Sequence, residues 1–406
     1  MDLTKNISPV FVAGLGAVSA IGNNVAECLL SLTNYKAGMD AIEYLQTLHK
    51  NTLPVAEVKL SNAELAALTG MDHRTSRTAL LSMMAAKEAL LDCGLENNPS
   101  LRIGFISANT VGGMDKTEQF YASFLVDKNK GKLLDIVNHE CGKVTELVAD
   151  ALGINAYVST ISTACSSSAN AIFFAARLIK HGMLDVAIAG GTDSLTKFTL
   201  NGFNTLMILD KEFCKPFDDN RQGLNLGEGA GYVVLVSKKV AALLQKTPYC
   251  ELTGYCNKND AYHQTASSPD GTGSYLAMQG ALALSGLQPG DIDYINLHGT
   301  GTQNNDFAEA TAIKRLFDPL YPAMSSTKSF TGHTLGASGG IEAVFSVLSV
   351  NRDIIYPNLR LQTSMHEFPF SAETALSNNR GVKNVLSNSF GFGGNCTSLI
   401  FSKITA

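Results

Sequence analysis

Apolar positions along this chain fall into short runs separated by longer stretches with helical spacing. Runs at 9–14, 102–107, 184–189, 232–237, 294–297, 385–387 and 397–401 are each of strand length, and a further extended run covers 157–161. Between several of them the apolar residues recur every three or four positions, predicting helices over 73–93, 167–181 and 341–350. Strands alternating with helices give an α/β class. The one soft boundary is the charged stretch 237–247, followed by a new strand-like start at Glu251, which divides the chain into halves 1–249 and 250–406. No convincing sequence repeat relates the two halves.

The longest apolar candidate for a membrane segment, 79–91, is broken by Lys87 and Glu88 and falls short of the ~18 residues needed to span a bilayer. It reads as an amphipathic or buried helix, and no membrane span is expected. The first residues carry Asp2 and no basic stretch, and the apolar run 10–18 is interrupted by glycines. That is the pattern of a first strand and turn, not of a signal peptide.

Of the 406 residues, 45% are hydrophobic and only 17% charged, a balance suited to elements buried between layers. A net charge of -5 gives no general electrostatic reason to bind nucleic acid or an anionic membrane. An acidic protein partner would need a local basic patch. The eight cysteines are scattered, without metal-type or redox-type spacing, and read as free thiols in a reducing cytoplasm.

Glycines cluster at 190–191, 227–231, 299–301, 332–340 and 391–394, and four of the five clusters adjoin a reactive side chain or a sharp strand end. The segment Ser162-Thr163-Ala164-Cys165-Ser166-Ser167-Ser168 links the run 157–161 to a helix, so Cys165 is expected on a strand-to-helix turn among small residues that leave its sulfur accessible. At a helix N-terminus a thiol pKa is expected to fall. By itself, such a cysteine is more often an inert small apolar residue.

His298 ends the strand-like run 294–297 beside Gly299-Thr300-Gly301-Thr302, and His333 precedes a small-residue helix start, five positions after Lys328. Either histidine alone would pass for a satisfied hydrogen-bonding residue. Together with Cys165 they offer a nucleophilic thiol and two neutral donors for an enolate oxygen, without a metal or other cofactor. Near the C-terminus, Gly391-Phe392-Gly393-Gly394 would bring backbone N–H groups close to a thioester oxygen, with Phe392 as a gate over an acyl tunnel or a simple hydrophobic plug.

The ordered set T-A-C-S-S-S (163–168), H-G-T-G-T (298–302), K-x-x-x-x-H (328–333) and G-F-G-G (391–394), with Val12-Ala13-Gly14-Leu15-Gly16, Lys215-Pro216-Phe217-Asp218, Arg221 and Gly227-Glu228-Gly229-Ala230-Gly231, resembles the β-ketoacyl synthases of the thiolase superfamily over essentially the whole chain. The resemblance implies a five-layer α-β-α-β-α fold of two similar halves. It implies that Cys165 accepts the acyl group, with the N–H groups of Cys165 and Phe392 as oxyanion hole. His298 and His333 would bind a malonyl thioester and promote its decarboxylation, Lys328 would order them, and Glu342 would support the network. Asp306 and Glu309 match acidic positions expected to be structural.

The same resemblance implies acyl and malonyl thioesters on acyl carrier protein as substrates, and a homodimer or a heterodimer with a related subunit. Arg74, Arg77, Lys128, Lys130 and Lys132 are candidates for docking the carrier. Three departures, Asn395-Cys396, Asn304-Asn305 and Leu224, leave the acyl substrate open between fatty acid and polyene or polyketide synthesis. Two rival readings are a thiolase-type enzyme using coenzyme A thioesters, with Cys396 in the place of a second cysteine, and a non-catalytic subunit that sets chain length.

Overall fold

The computed structural model describes residues 8–95 and 100–404. The opening residues around Asp2 lie outside the described range. Ten strands form one mixed sheet: β1 (Val10–Ser19), β2 (Ile103–Ala108), β3 (Tyr157–Ile161), β4 (Val186–Asp193), β5 (Gly229–Ser237), β6 (Cys250–Asn259), β7 (Tyr294–Asn296), β8 (Ala323–Ser325), β9 (Asn384–Gly391) and β10 (Asn395–Ser402). Their order across the sheet is β3-β2-β4-β5-β1-β6-β10-β9-β7-β8.

The same connectivity occurs twice. In the first five strands, β1 pairs antiparallel with β5, β5 antiparallel with β4, β4 parallel with β2 and β2 parallel with β3. In the second five, β6 stands in the place of β1, and β10, β9, β7 and β8 follow with the same senses. The two sets join where Phe11 faces Glu251 and Val12 faces Cys250. Topology repeats although sequence does not, because a strand buried on both faces asks for apolar residues and sets no particular order among them.

The helices that matter for the site are α1 (Arg77–Cys93), α2 (Cys141–Leu152), α3 (Ser167–Lys180), α4 (Thr272–Ser285), α5 (Gln303–Phe317) and α6 (Ser338–Arg352). Helices α3 and α6 pack on each other and against strands of both sets, α1 and α2 cover the outer face of the first set, and α4 with α5 covers the outer face of the second. The result is five layers, α-β-α-β-α. Strand β5 shows why its sequence is an unbroken apolar run. Tyr232, Val234 and Val236 enter the core under α1, while Val233 and Leu235 enter the core around α3 and α6, all fully buried.

The helix expected over 73–93 begins at Arg77, because the Ser76 side chain accepts the Ala79 N–H as N-cap; Gly94, in the left-handed region, ends it. Stretch 79–91 lies within this helix, with Ala79, Leu80, Leu81, Ala85, Ala86 and Ala89 buried in the core. Among the described residues no helix is long and apolar enough to cross a membrane. All eight cysteines are free thiols.

Candidate active site

Small residues bring the distant segments together. Where α6 starts, a Cβ on Gly340 would lie 2.4 Å from the Gly231 carbonyl oxygen, so only glycine allows this approach, and the Gly340 N–H donates to Ser168 Oγ at 2.7 Å. The N-termini of α3 and α6 therefore sit side by side. Cys165 precedes the first, and His333 precedes the second.

Between β3 and α3 the chain makes a tight turn, with Ala164 at φ 52, a conformation costly for a residue with a Cβ. The turn is fixed from within: the Thr163 N–H donates to Ser167 Oγ at 2.8 Å, and Ser167 Oγ donates to the Ala164 carbonyl at 2.5 Å. Cys165 is 5% exposed. Burial pushes its thiol up to about 11, against the pull of the Lys328 cation and of the backbone N–H groups of Phe392 and Cys165. This corrects the expectation of a lowered thiol pKa. A helix N-terminus favours a thiolate, but removing the sulfur from water opposes it more strongly.

The imidazoles are held by different means. The backbone N–H groups of His298 and Gly299 donate to Glu309 Oε1 and Oε2 at 2.9 and 2.8 Å, which fixes the end of β7. Lys328 Nζ lies 3.2 Å from His298 Nδ1 and also pairs with Glu342 Oε1. His333 Nδ1 accepts the Leu335 N–H at 3.1 Å and lies 3.1 Å from Ser338 Oγ, while the His333 N–H donates to the Asn225 carbonyl at 2.8 Å. With Nδ1 of each ring engaged as an acceptor, the hydrogen-bond network assigns the proton of each neutral ring to Nε2.

Burial, and then the Lys328 cation, hold both histidines well below their ordinary pKa; His333 adds to the effect on His298. Both rings are therefore neutral donors at neutral pH. Burial raises Glu342 to about 7 against Lys328, and raises Glu309 to about 7 against three hydrogen bonds. The two imidazole rings meet edge to face with centroids 5.5 Å apart. Cys165 Sγ and one nitrogen of each ring all lie within 4.8 Å of one another, a spacing that would also suit a metal ion preferring thiolate and imidazole.

Cys165, His298, His333, Phe390 and Phe392 line a cavity of about 330 Å³, with Leu224, Asn304 and Asn305 further along its wall. A second cavity of about 210 Å³, lined by Met114, Phe198 and Leu335 among others, also reaches Cys165. Phe203 and Phe392 border both, their rings stacked 5.7 Å apart. Gly391 touches the nucleophile turn; a Cβ there would lie 3.1 Å from the Cys165 nitrogen.

Asp306 accepts the N–H groups of Thr300, Gly301 and Phe217, fixing the loop beyond His298. Glu309 is closer to the chemistry than its structural label suggests, since it anchors His298 directly and also accepts from Asn388 Nδ2 at 3.0 Å. The sequence reading missed Phe203, Phe390, Asn225 and Ser338, which bear on the site through contacts that no local pattern announces. It also placed Arg77 on a docking surface. Arg77 is buried and bonds Glu228 at 2.6 Å, so it is withdrawn from solvent, whereas Arg74, Lys128, Lys130 and Lys132 are exposed. Cys396 is buried against Ala277 and Phe390 and is absent from the walls of both cavities.

Five layers, a doubled strand order and a cysteine at the N-terminus of a central helix define a protein of the thiolase fold. Within that class, the β-ketoacyl synthase N-terminal domain model matches residues 8–241 and the C-terminal domain model matches residues 249–362. The chain belongs to the β-ketoacyl synthase family. It is 33% identical over 416 aligned positions to 3-oxoacyl-[acyl-carrier-protein] synthase 2 of Staphylococcus aureus (strain MRSA252), covering 100% of both chains. It is 34% identical to the protein of the same name from Coxiella burnetii, over 97% of this chain and 98% of that one. Among solved structures, it is similar to a ketosynthase in complex with its chain length factor from Xenorhabdus doucetiae, with a TM-score of 0.84, 30% identity and 100% of both chains covered.

Proposed function

We propose that this chain is a 3-oxoacyl-acyl carrier protein synthase that joins a Cys165-bound acyl group to malonyl-acyl carrier protein with loss of carbon dioxide. The observation that carries this reading is the approach of one sulfur and two neutral imidazoles within 4.8 Å at the meeting of two cavities. In the first half-reaction the Cys165 sulfur attacks an acyl thioester, its proton leaves with the carrier thiol, and the N–H groups of Cys165 and Phe392 receive the developing oxyanion. In the second half, His298 and His333 donate to the malonyl thioester oxygen, and the C–C bond to the carboxylate breaks to release carbon dioxide. The resulting enolate attacks the acyl carbon, the carbon–sulfur bond breaks, and Cys165 departs as thiolate and takes up one proton from solvent.

Neutral imidazoles suit the second half because they stabilise an enolate without protonating its carbon. Lys328 keeps them neutral and is itself balanced by Glu342, while Asp306 and Glu309 hold the His298 loop. Phe392, stacked on Phe203 between the cavities, is the gate between the carrier side and the acyl side. The halves 1–249 and 250–406 are the two thiolase-like units, a division supported by the repeated strand order.

Acyl carrier protein is the expected partner, met by exposed Arg74, Lys128, Lys130 and Lys132. A second subunit, identical or related, is supported by the open edge of β3, where Val158 is exposed, and by the exposed apolar side chains Tyr121, Leu125, Leu133 and Leu134. Eight free thiols suit the cytoplasm. Intact-protein mass spectrometry with a panel of acyl carriers tests the reading. Acyl adducts on Cys165 that are consumed when malonyl carrier is added are expected; adducts that form only from coenzyme A thioesters, or none at all, would overturn it.

A further inference from the structure

Beneath the candidate site, one side-chain oxygen lies within hydrogen-bond distance of three donors, two from the start of α3 and one from β6. Asn395, the first residue of β10, presents Oδ1 to Ser166 Oγ at 2.7 Å, Asn170 Nδ2 at 2.9 Å and Asn257 Nδ2 at 2.7 Å. Ser166 follows Cys165 directly, Asn170 lies in the first turns of α3, and Asn257 belongs to β6. The network closes on itself. Asn170 Nδ2 also donates to Thr163 Oγ1 at 2.9 Å, and Asn170 Oδ1 accepts from Thr397 Oγ1 at 2.7 Å. Ser166 is fully buried and Asn170 is 7% exposed. Without the shared acceptor Ser166 Oγ keeps the Thr163 carbonyl at 2.8 Å and Asn257 Nδ2 keeps Thr397 Oγ1 at 2.8 Å, so the loss falls on one Asn170 N–H and on the tie between Asn395 and the nucleophile turn.

Asn395 stands three residues after Phe392, and Ser166 one residue after Cys165. Its side chain therefore bridges the two turns whose N–H groups flank the sulfur, at a point separate from the backbone contact of Gly391 with Cys165. Two contacts fix the relative placement of two turns where one would leave a hinge. We infer that Asn395 is a positioning residue that sets the spacing between the Cys165 and Phe392 N–H groups through its three-donor acceptor. This inference rests on the proposed role of those N–H groups as an oxyanion hole.

The test compares two reactions of the same sulfur in the full-length protein. Acylation by an acyl carrier thioester passes through an oxyanion, whereas alkylation by iodoacetamide displaces iodide at a saturated carbon and develops none. Asn395→Leu, which keeps the bulk and removes the acceptor, should slow acylation by about 30- to 100-fold, on the scale of losing or misplacing one oxyanion donor. Alkylation at the same pH should stay within about threefold of the wild type. Asn395→Asp, which restores an acceptor oxygen, should recover most of the acylation rate.

If the leucine variant does not fold, Asn395→Ala, whose vacated volume admits water, is read by the same ratio. Unchanged acylation, a parallel fall in acylation and alkylation, or an aspartate variant as slow as the leucine variant would each overturn the inference. A wild-type protein that cannot be acylated at all would instead remove the functional reading on which the inference rests.

Discussion

The two sides of the pocket are built from different materials. The cysteine side is largely uncharged: a strained turn at Ala164, hydroxyls of Ser166 and Ser167, the amides of Asn170 and Asn395, and two backbone N–H groups, with buried Asp193 the carboxylate that acts on the thiol. The histidine side is a buried ionic structure, with Lys328, Glu342, Glu309 and Asp306 all withdrawn from water. Buried ions are costly and seldom retained for stability alone. Their concentration on one side separates two tasks: the largely uncharged side shapes an electrophile's surroundings, and the charged side fixes the protonation state of two rings.

Replacing Cys165 with alanine should break the cysteine side completely. Acyl adducts should vanish from the intact-mass spectrum and condensation should fall by at least about 10³-fold; a retained adduct would assign the acyl group to another residue. A smaller effect is expected from Lys328→Met, which leaves the burial of both imidazoles in place and removes the cation that adds to it in holding them below their ordinary pKa. In the wild type the rings stay neutral from pH 7.5 to 6, so any slope of single-turnover condensation across that window comes from Glu342 and Glu309, both raised to about 7. In the variant the imidazole pKa values rise part of the way, since burial, the larger cause, remains; the neutral fraction shrinks as pH falls, and the ratio of the rate at pH 7.5 to that at pH 6 should exceed the wild-type ratio by about two- to threefold. Superimposable profiles would reject this division of labour. An effect of similar size belongs to the wall between the cavities: Phe392→Ala should change the ratio of long to short acyl groups loaded by a few-fold, measured by competition between carriers. An unaltered ratio would leave Phe392 a plug.

Much of this contrast could be read from the chain. The apolar run before Cys165 and the helical spacing after it become β3 and α3, and His298 stands at a strand end as its glycine-rich surroundings suggest. What escaped the sequence depends on three-dimensional depth. Strand β8 has three residues, too few for alternation to register, and Arg77 gave no sign that Glu228, 151 residues away, would draw it inside. The thiol pKa was misjudged for the same reason, since helix position is local and burial is not. Asn395, Asn170 and Asn257 are unremarkable singly and gain meaning only where three elements cross.

The central claim is that sulfur and imidazoles share one pocket yet serve separate half-reactions. Rapid-quench mass spectrometry of His298→Ala and His333→Ala, each given acyl carrier and then malonyl carrier, measures this directly. Both variants should load Cys165 within a few-fold of the wild-type rate and then retain the acyl group, with condensation slowed by about 10²- to 10⁴-fold. If loading and condensation fall by the same factor in both, the two sides are not divided as described.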